Sequence, residues 1–153
     1  LLTYKSKTFD VVMFFAVLEH LVHRSQILQE IHRVLKPRGL LLLGVPNEWT
    51  SWKFLQRRFG VSHFTDPDHK VEYSRASITE ELTRHHFRMK SIDPTAYDTP
   101  WAGFIDVIGG LSLSLYERLL WWKWDRAKKQ PEESISWFIV AEKVDPLTRT
   151  KSI

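Results

Sequence analysis

The sequence contains no cysteine. That excludes a disulfide framework and every thiolate metal site, and leaves histidine and carboxylates as the metal donors to consider. Glycine is sparse, 6 in 153 residues. The adjacent pair Gly109-Gly110 lies in an aromatic segment and follows no strand of the right kind, so it is not a phosphate or nucleoside loop. No apolar stretch preceded by positive charge opens the chain, so no secretory signal is read there and a cytoplasmic protein is expected. Long hydrophobic runs are missing too. Inside the aromatic segment the longest uncharged run is Val107 to Tyr116, short of the ~20 residues a membrane-spanning helix needs. Neither charge sign dominates: 22 Lys+Arg against 18 Asp+Glu leave a net +4, which is read as a solubility feature and implies no nucleic-acid partner. No internal repeat stands out. The first residue is Leu rather than Met, as expected of a sequence that begins inside a longer reading frame.

What is present is an ordinary globular balance, 43% hydrophobic and 26% charged residues, in a length that suits one domain with a real core. Phe9-Asp10-Val11-Val12-Met13-Phe14-Phe15 is a short, nearly continuous apolar run rich in β-branched and aromatic types. It reads as a strand buried on both faces. From Ser25 to Leu35 the apolar residues Ile27, Leu28, Ile31, Val34 and Leu35 recur at helical spacing, and Pro37 with Gly39 supplies a stop. Leu40 to Val45 is a second apolar run, ended by Pro46-Asn47. Strand, helix and strand in this order predict a βαβ unit and a parallel strand pair.

Beyond Asn47 a loop-like stretch extends through Lys70, carrying several aromatics, His63, His69 and the turn signal Asp66-Pro67-Asp68. Ser77-Ile78-Thr79-Glu80 has capping-box form and predicts a helix start. Phe87 to Ile92 and Ile135 to Ala141 predict outer strands. Between them lies a lid-like aromatic and basic insertion, 101–130, with Trp121, Trp122 and Trp124 beside Arg126, Lys128 and Lys129. Two readings of it stay open: a lid over a pocket, or a peripheral membrane contact through 101–129. The domain is expected to run over 1–144, with 145–153 as a flexible tail.

Taken in order, Phe9-Asp10-Val11-Val12, Val17-Leu18-Glu19-His20-Leu21, Leu28, Glu30, Arg33-Val34-Leu35-Lys36-Pro37, Gly39 and Pro46-Asn47 resemble the second half of the class I S-adenosylmethionine-dependent methyltransferase core. His69, Tyr73-Ser74, Ser77, Leu82 and Phe87 resemble the helix leading into the sixth strand of the subset that acts on small molecules, sugars and lipids. The strand at Ile135 is similar to the family's seventh. The resemblance implies an α/β fold, a partial Rossmann-like doubly wound sheet with parallel central strands and an antiparallel last strand. It also implies S-adenosylmethionine as cofactor and a small-molecule, sugar or lipid-linked acceptor. Two positions depart from the pattern: Arg38 and His86 stand where the family usually has glycine.

The family's glycine-rich turn and the acidic residue ending its second strand have no counterpart in these 153 residues. The chain is therefore expected to be the C-terminal portion of a methyltransferase, to bind the cofactor weakly or not at all alone, and to self-associate through an apolar strand edge at Phe9 to Phe15. The resemblance assigns Phe15, Ala16, Val17 and His20 to the cofactor. Catalysis is expected at His69, the group placed to take an acceptor's proton, with Asn47, His63 and Tyr73 contacting the acceptor. No set of His and carboxylates has metal-ligand spacing in the linear sequence. A non-catalytic methyltransferase-like module binding a partner through its sheet edge is the competing class, and another Rossmann-type enzyme, such as a dehydrogenase, is disfavoured by the Leu-Glu-His and Leu-Lys-Pro patterns.

Overall fold

The computed structural model describes residues 2–145, so the tail expected over 145–153 lies outside the described residues apart from Asp145. Four strands form one mixed sheet: β1 Phe9–Phe15, β2 Leu35–Pro46, β3 Phe87–Pro94 and β4 Ser136–Lys143, in the spatial order β1-β2-β4-β3. β1 runs parallel to β2, while β4 is antiparallel to both its neighbours. This is the parallel pair and antiparallel last strand that the sequence predicts. α1, Arg24–Val34, makes the crossover between β1 and β2. β2 begins earlier than the apolar run at Leu40, because Leu35 already pairs with Phe9; Lys36 to Gly39 then bulge out before Val11 meets Leu40.

The core lies on one face of the sheet. Leu41, Leu43 and Val45 of β2 pair in register with Ala141, Ile139 and Trp137 of β4, and all six are buried. Leu28 and Ile31 of α1 and Ile78 and Leu82 of α3, Arg75–Arg84, join them in that core. The opposite face is open among the described residues: Val11, Met13 and Phe15 are exposed, with Met13 at 65%. The reading of β1 as buried on both faces is thus corrected. An apolar run records what a strand is suited to pack against, and here only one face has packing.

Two further differences concern helices. The stretch read as a loop contains α2, Ser51–Arg58, capped by Thr50, whose hydroxyl oxygen accepts from the Lys53 N–H at 3.1 Å. α3 starts at Arg75 rather than at the Ser77 capping box, because the Ser74 hydroxyl accepts from the Ser77 N–H at 3.1 Å. Capping chemistry three residues upstream takes the role. The insertion is a helical hairpin, α4 Ala102–Leu111 and α5 Leu113–Lys129, with Ser112 at the turn. Gly109 permits close approach there, since a Cβ on it would sit 2.9 Å from the Tyr116 ring.

Arg38 and His86, the two positions that depart from glycine, adopt φ of 63° and 60°. The backbone keeps the left-handed turn although the residue does not favour it, at a cost of roughly 1–2 kcal/mol per L-residue. His86→Gly is therefore expected to stabilise the chain by about 1 kcal/mol in denaturant unfolding. His85→Gly is the control and should destabilise, since His85 has φ −97° and bonds Glu81 and Ser25.

Candidate functional site

The carboxyl ends of β1 and β2 open into one crevice, the place where parallel α/β sheets bind ligands. β1 ends at Phe15, Ala16 turns the chain with φ 51°, and the short 3₁₀ turn Leu18–His20 follows. The Ala16 N–H donates to the Gly44 carbonyl at 3.2 Å, fixing this turn against β2. Gly44 matters sterically: a Cβ there would lie 3.1 Å from the Phe15 ring. Its absence lets Phe15 stack on Phe138 at 5.6 Å between ring centroids.

The segment bearing His69 is pinned beside the crevice. The Lys70 N–H donates to the Glu19 carbonyl at 2.8 Å, and the Tyr73 N–H donates to the Pro46 carbonyl at 2.9 Å. His69 is thereby brought against His20, ring edge to ring face at 4.7 Å. Behind His69 stands a buried ionic set. His69 Nδ1 lies 3.1 Å from Glu72 Oε1, the Thr65 N–H donates to the same oxygen at 2.9 Å, and Lys53 Nζ donates to Glu72 Oε2 at 2.5 Å. Lys53 also donates to the Asn47 carbonyl at 2.6 Å. Burial works against ionisation of Glu72, but the bond from Lys53 and those from Thr65 and His69 outweigh it, holding its carboxyl below the usual range. Glu72 is therefore a carboxylate at neutral pH. It holds the His69 tautomer with hydrogen on Nδ1, leaving Nε2 for the crevice.

The crevice has a volume of about 470 Å³. Phe15, Ala16, His20 and His69 line it together with Glu19 and Asp66. Trp137 and Phe138 form part of its apolar wall, and among the described residues neither a lysine nor an arginine lines it. The other expected site residues fall elsewhere. Val17 is partly exposed but does not line the crevice. Asn47 is buried at 1% exposure, its Nδ2 donating to the carbonyls of Trp49, Glu132 and Ser134 and its Oδ1 accepting from the Trp49 N–H. It ties the end of β2 to the start of β4 rather than facing an acceptor. His63 rests on the Phe64 ring outside the crevice. Tyr73 is buried behind the wall, and its hydroxyl ionises only well above the ordinary range, through burial first and then the neighbouring Glu81.

Sequence reasoning missed Glu19, Glu72 and Lys53. Lys53 sits in a stretch rich in arginine and reads as surface, and Glu72 has no local signal at all. Linear spacing also conceals that Glu19, His20 and His69 each offer a ligand atom within 4.8 Å of one another.

Residues 1–43 match the family described as a methyltransferase domain. The chain is 33% identical over 94 residues to the ubiquinone/menaquinone biosynthesis C-methyltransferase UbiE of Blochmanniella pennsylvanica, covering 60% of this chain and 34% of that protein. It is 35% identical over 83 residues to a Mycolicibacterium smegmatis protein described as "Probable S-adenosylmethionine-dependent methyltransferase", covering 53% of this chain and 29% of that protein. The chain thus spans about a third of the length of these curated relatives. Among solved structures, the [4+2]-cyclase SpnF matches with a TM-score of 0.59 at 18% identity, over 94% of this chain and 53% of that one. A SAM-dependent methyltransferase of Methanosarcina mazei matches at 0.56 and 18%, over 94% and 63%. The fold is that of the Rossmann-like methyltransferases.

Proposed function

We propose that this chain supplies the acceptor-side wall of an S-adenosylmethionine-dependent methyltransferase acting on a small-molecule, sugar or lipid-linked acceptor. The observation that carries the proposal is the crevice itself, where Phe15, Ala16 and His20, from the segment matching the methyltransferase domain, face His69 across a shared cavity. Its lining suits the cofactor. A sulfonium cation is favoured by aromatic faces and carboxylates and opposed by cationic side chains. Here Phe15, Trp137, Phe138, Glu19 and Asp66 are present, without lysine or arginine. When bound, S-adenosylmethionine supplies an electrophilic methyl group. The residues of this chain hold donor and acceptor in line and exclude water, and we assign the acceptor's deprotonation to His69, positioned by Glu72.

The test is a nuclear magnetic resonance titration of the chain with S-adenosylmethionine. Weak binding, well above micromolar dissociation constants, is expected to shift the amides of Phe15 to His20 and Gly44 to Val45. Shifts confined to other regions would sink the assignment. SpnF, a cyclase by description, shows that this fold hosts other chemistry, so transfer of labelled methyl to a trapped acceptor remains the decisive readout for activity. A second reading is a non-catalytic module binding a partner protein through the open edge of β1; it predicts no cofactor shifts at the crevice.

The hairpin bears on the acceptor. Among the described residues no helix is long and apolar enough to cross a membrane. Yet Val107, Leu111 and Leu113 are exposed toward and at the tip, Leu111 at 84% and Leu113 at 79%. Trp121, Trp122 and Trp124 follow toward the body, and then Arg126, Lys128 and Lys129. Apolar tip, tryptophan belt and basic base are the order of a shallow interfacial anchor. We propose that it rests on anionic lipid. The chain should sediment with anionic vesicles, and Leu113→Asp should weaken this at least roughly tenfold, because burying a leucine side chain contributes about 1.5–3 kcal/mol. Binding independent of anionic lipid assigns the hairpin to a lid instead.

A further inference from the structure

We infer that Glu19, His20 and His69 form a binding site for a divalent cation of the zinc class at the mouth of the crevice. The inference rests on the methyl-transfer reading of that crevice and specifies how His69 acts within it.

Each of the three residues offers a ligand atom, and these atoms lie within 4.8 Å of one another. Small rotations bring such a set onto one ion at the usual distances of about 2.0–2.2 Å. Two imidazoles and one carboxylate form a donor set that suits zinc and its neighbours better than magnesium or calcium, which prefer oxygen alone.

A second and independent observation points to a missing partner. Glu19 is buried, at 3% exposure, and among the described residues its Oε2 has no hydrogen-bond partner. A buried carboxylate oxygen without a donor is costly unless a cation or an ordered water completes it. The third observation is the support behind His69. The His69 side chain is 7% exposed, and its Nδ1 is committed to Glu72, which Lys53 holds in place from the other side at 2.5 Å. A carboxylate behind the far nitrogen of a histidine is the arrangement that orients metal-bound imidazoles and increases their basicity. His20, by contrast, is only partly buried and lines the cavity. The site therefore has three protein ligands and one side open to the crevice, which is the form of a catalytic rather than a structural metal site.

The chemistry follows from that open side. An acceptor hydroxyl reaching the cation there loses its proton to solvent more readily. The resulting oxygen attacks the methyl carbon: the O–CH₃ bond forms as the S–CH₃ bond breaks, and the sulfonium leaves as a neutral thioether. With Nδ1 on Glu72 and Nε2 on the cation, His69 acts in the loaded site as a ligand in place of the base, and the acceptor's proton leaves to solvent.

The experiment is titration of the chain with Zn²⁺ by calorimetry and with Co²⁺ by visible absorption, both without S-adenosylmethionine. One equivalent is expected to bind, with Co²⁺ developing the absorption of a low-coordinate nitrogen and oxygen site. Glu72→Gln should weaken binding by about 10- to 100-fold, and Glu19→Gln and His20→Ala by at least as much. His63→Ala and His85→Ala, outside the site, should leave it unchanged. His20 is the variant least coupled to folding, so it keeps the test open if Glu19→Gln unfolds. Affinity and spectrum unchanged in Glu19→Gln and His20→Ala overturn the inference, as does the absence of binding. The methyl-transfer reading is judged separately by the amide shifts with S-adenosylmethionine, so either can fail while the other stands.

Discussion

Lys53→Met is expected to destabilise the chain by about 3–5 kcal/mol, the usual cost of removing one partner of a buried ion pair. Lys53 and Glu72 have side chains 4% and 0% exposed, with Nζ and Oε2 2.5 Å apart. Methionine matches the stem of the lysine but leaves Glu72 buried without its counter-charge, and leaves the Asn47 carbonyl without its donor. The sign with pH can be worked out. In the native protein the Glu72 carboxyl is held below its ordinary range, so its contribution is present above the unfolded pKa and fades as pH falls through the folded one. In Lys53→Met the two lowering contributions of Lys53 are gone and only the bonds from Thr65 and His69 still oppose burial, so that pKa rises from its native position and acid neutralises the orphaned carboxylate. The gap in stability between the two proteins should narrow on acidification. Lys53→Met combined with Glu72→Gln should recover more than half of the loss, since the amide oxygen still accepts from Thr65 and His69 without the charge. Denaturant melts of all four proteins across pH form the cycle that measures this. Equal destabilisation at every pH would show that lost packing, not the unpaired carboxylate, is responsible.

This pair also shows where the sequence stops being legible. The β-α-β order from Phe9 to Val45 was readable because apolar runs and helical spacing are local, and the antiparallel last strand followed from resemblance. Phe15, Ala16, His20 and His69 line one crevice, since the first three lie at and just after the end of β1 and the loop bearing His69 is pinned to Glu19 and Pro46. The three carbonyls that Asn47 ties together were not legible, because a polar residue ending a strand looks the same whether it faces a ligand or binds the backbone. α2 was missed because its apolar positions are few and its lysine points inward to Glu72. Non-local pairing of charge leaves no mark on periodicity. The left-handed turns at Arg38 and His86 are the reverse case: the residue types argue against a conformation that the fold retains.

The chain of residues 1–153 is expected to self-associate, and Met13→Lys to convert it toward monomer. β1 is the outer strand of the sheet, hydrogen-bonded only to β2 among the described residues. Its other edge presents backbone donors and acceptors, and from Val11 to Phe15 it carries neither charge nor proline, the usual protections of an edge strand. The open face adds to this. Val11, Met13 and Phe15 are 45%, 65% and 43% exposed, and Leu40 and Leu42 beside them on β2 are only partly buried. Edge and face together offer pairing and apolar burial to a second copy, or to any segment that completes the sheet. A lysine at position 13 leaves the core intact, because Met13 points away from Leu41 and Leu43, yet it places a charge in the middle of both surfaces. Light scattering after size-exclusion chromatography, across a concentration series, should show the native chain growing in mass while Met13→Lys holds near the 18.1 kDa of one chain. Asp93→Lys, at an exposed position of β3 on the opposite edge of the sheet, serves as the control and should leave self-association in place. A native chain that stays monomeric at high concentration would refute the role assigned to this edge.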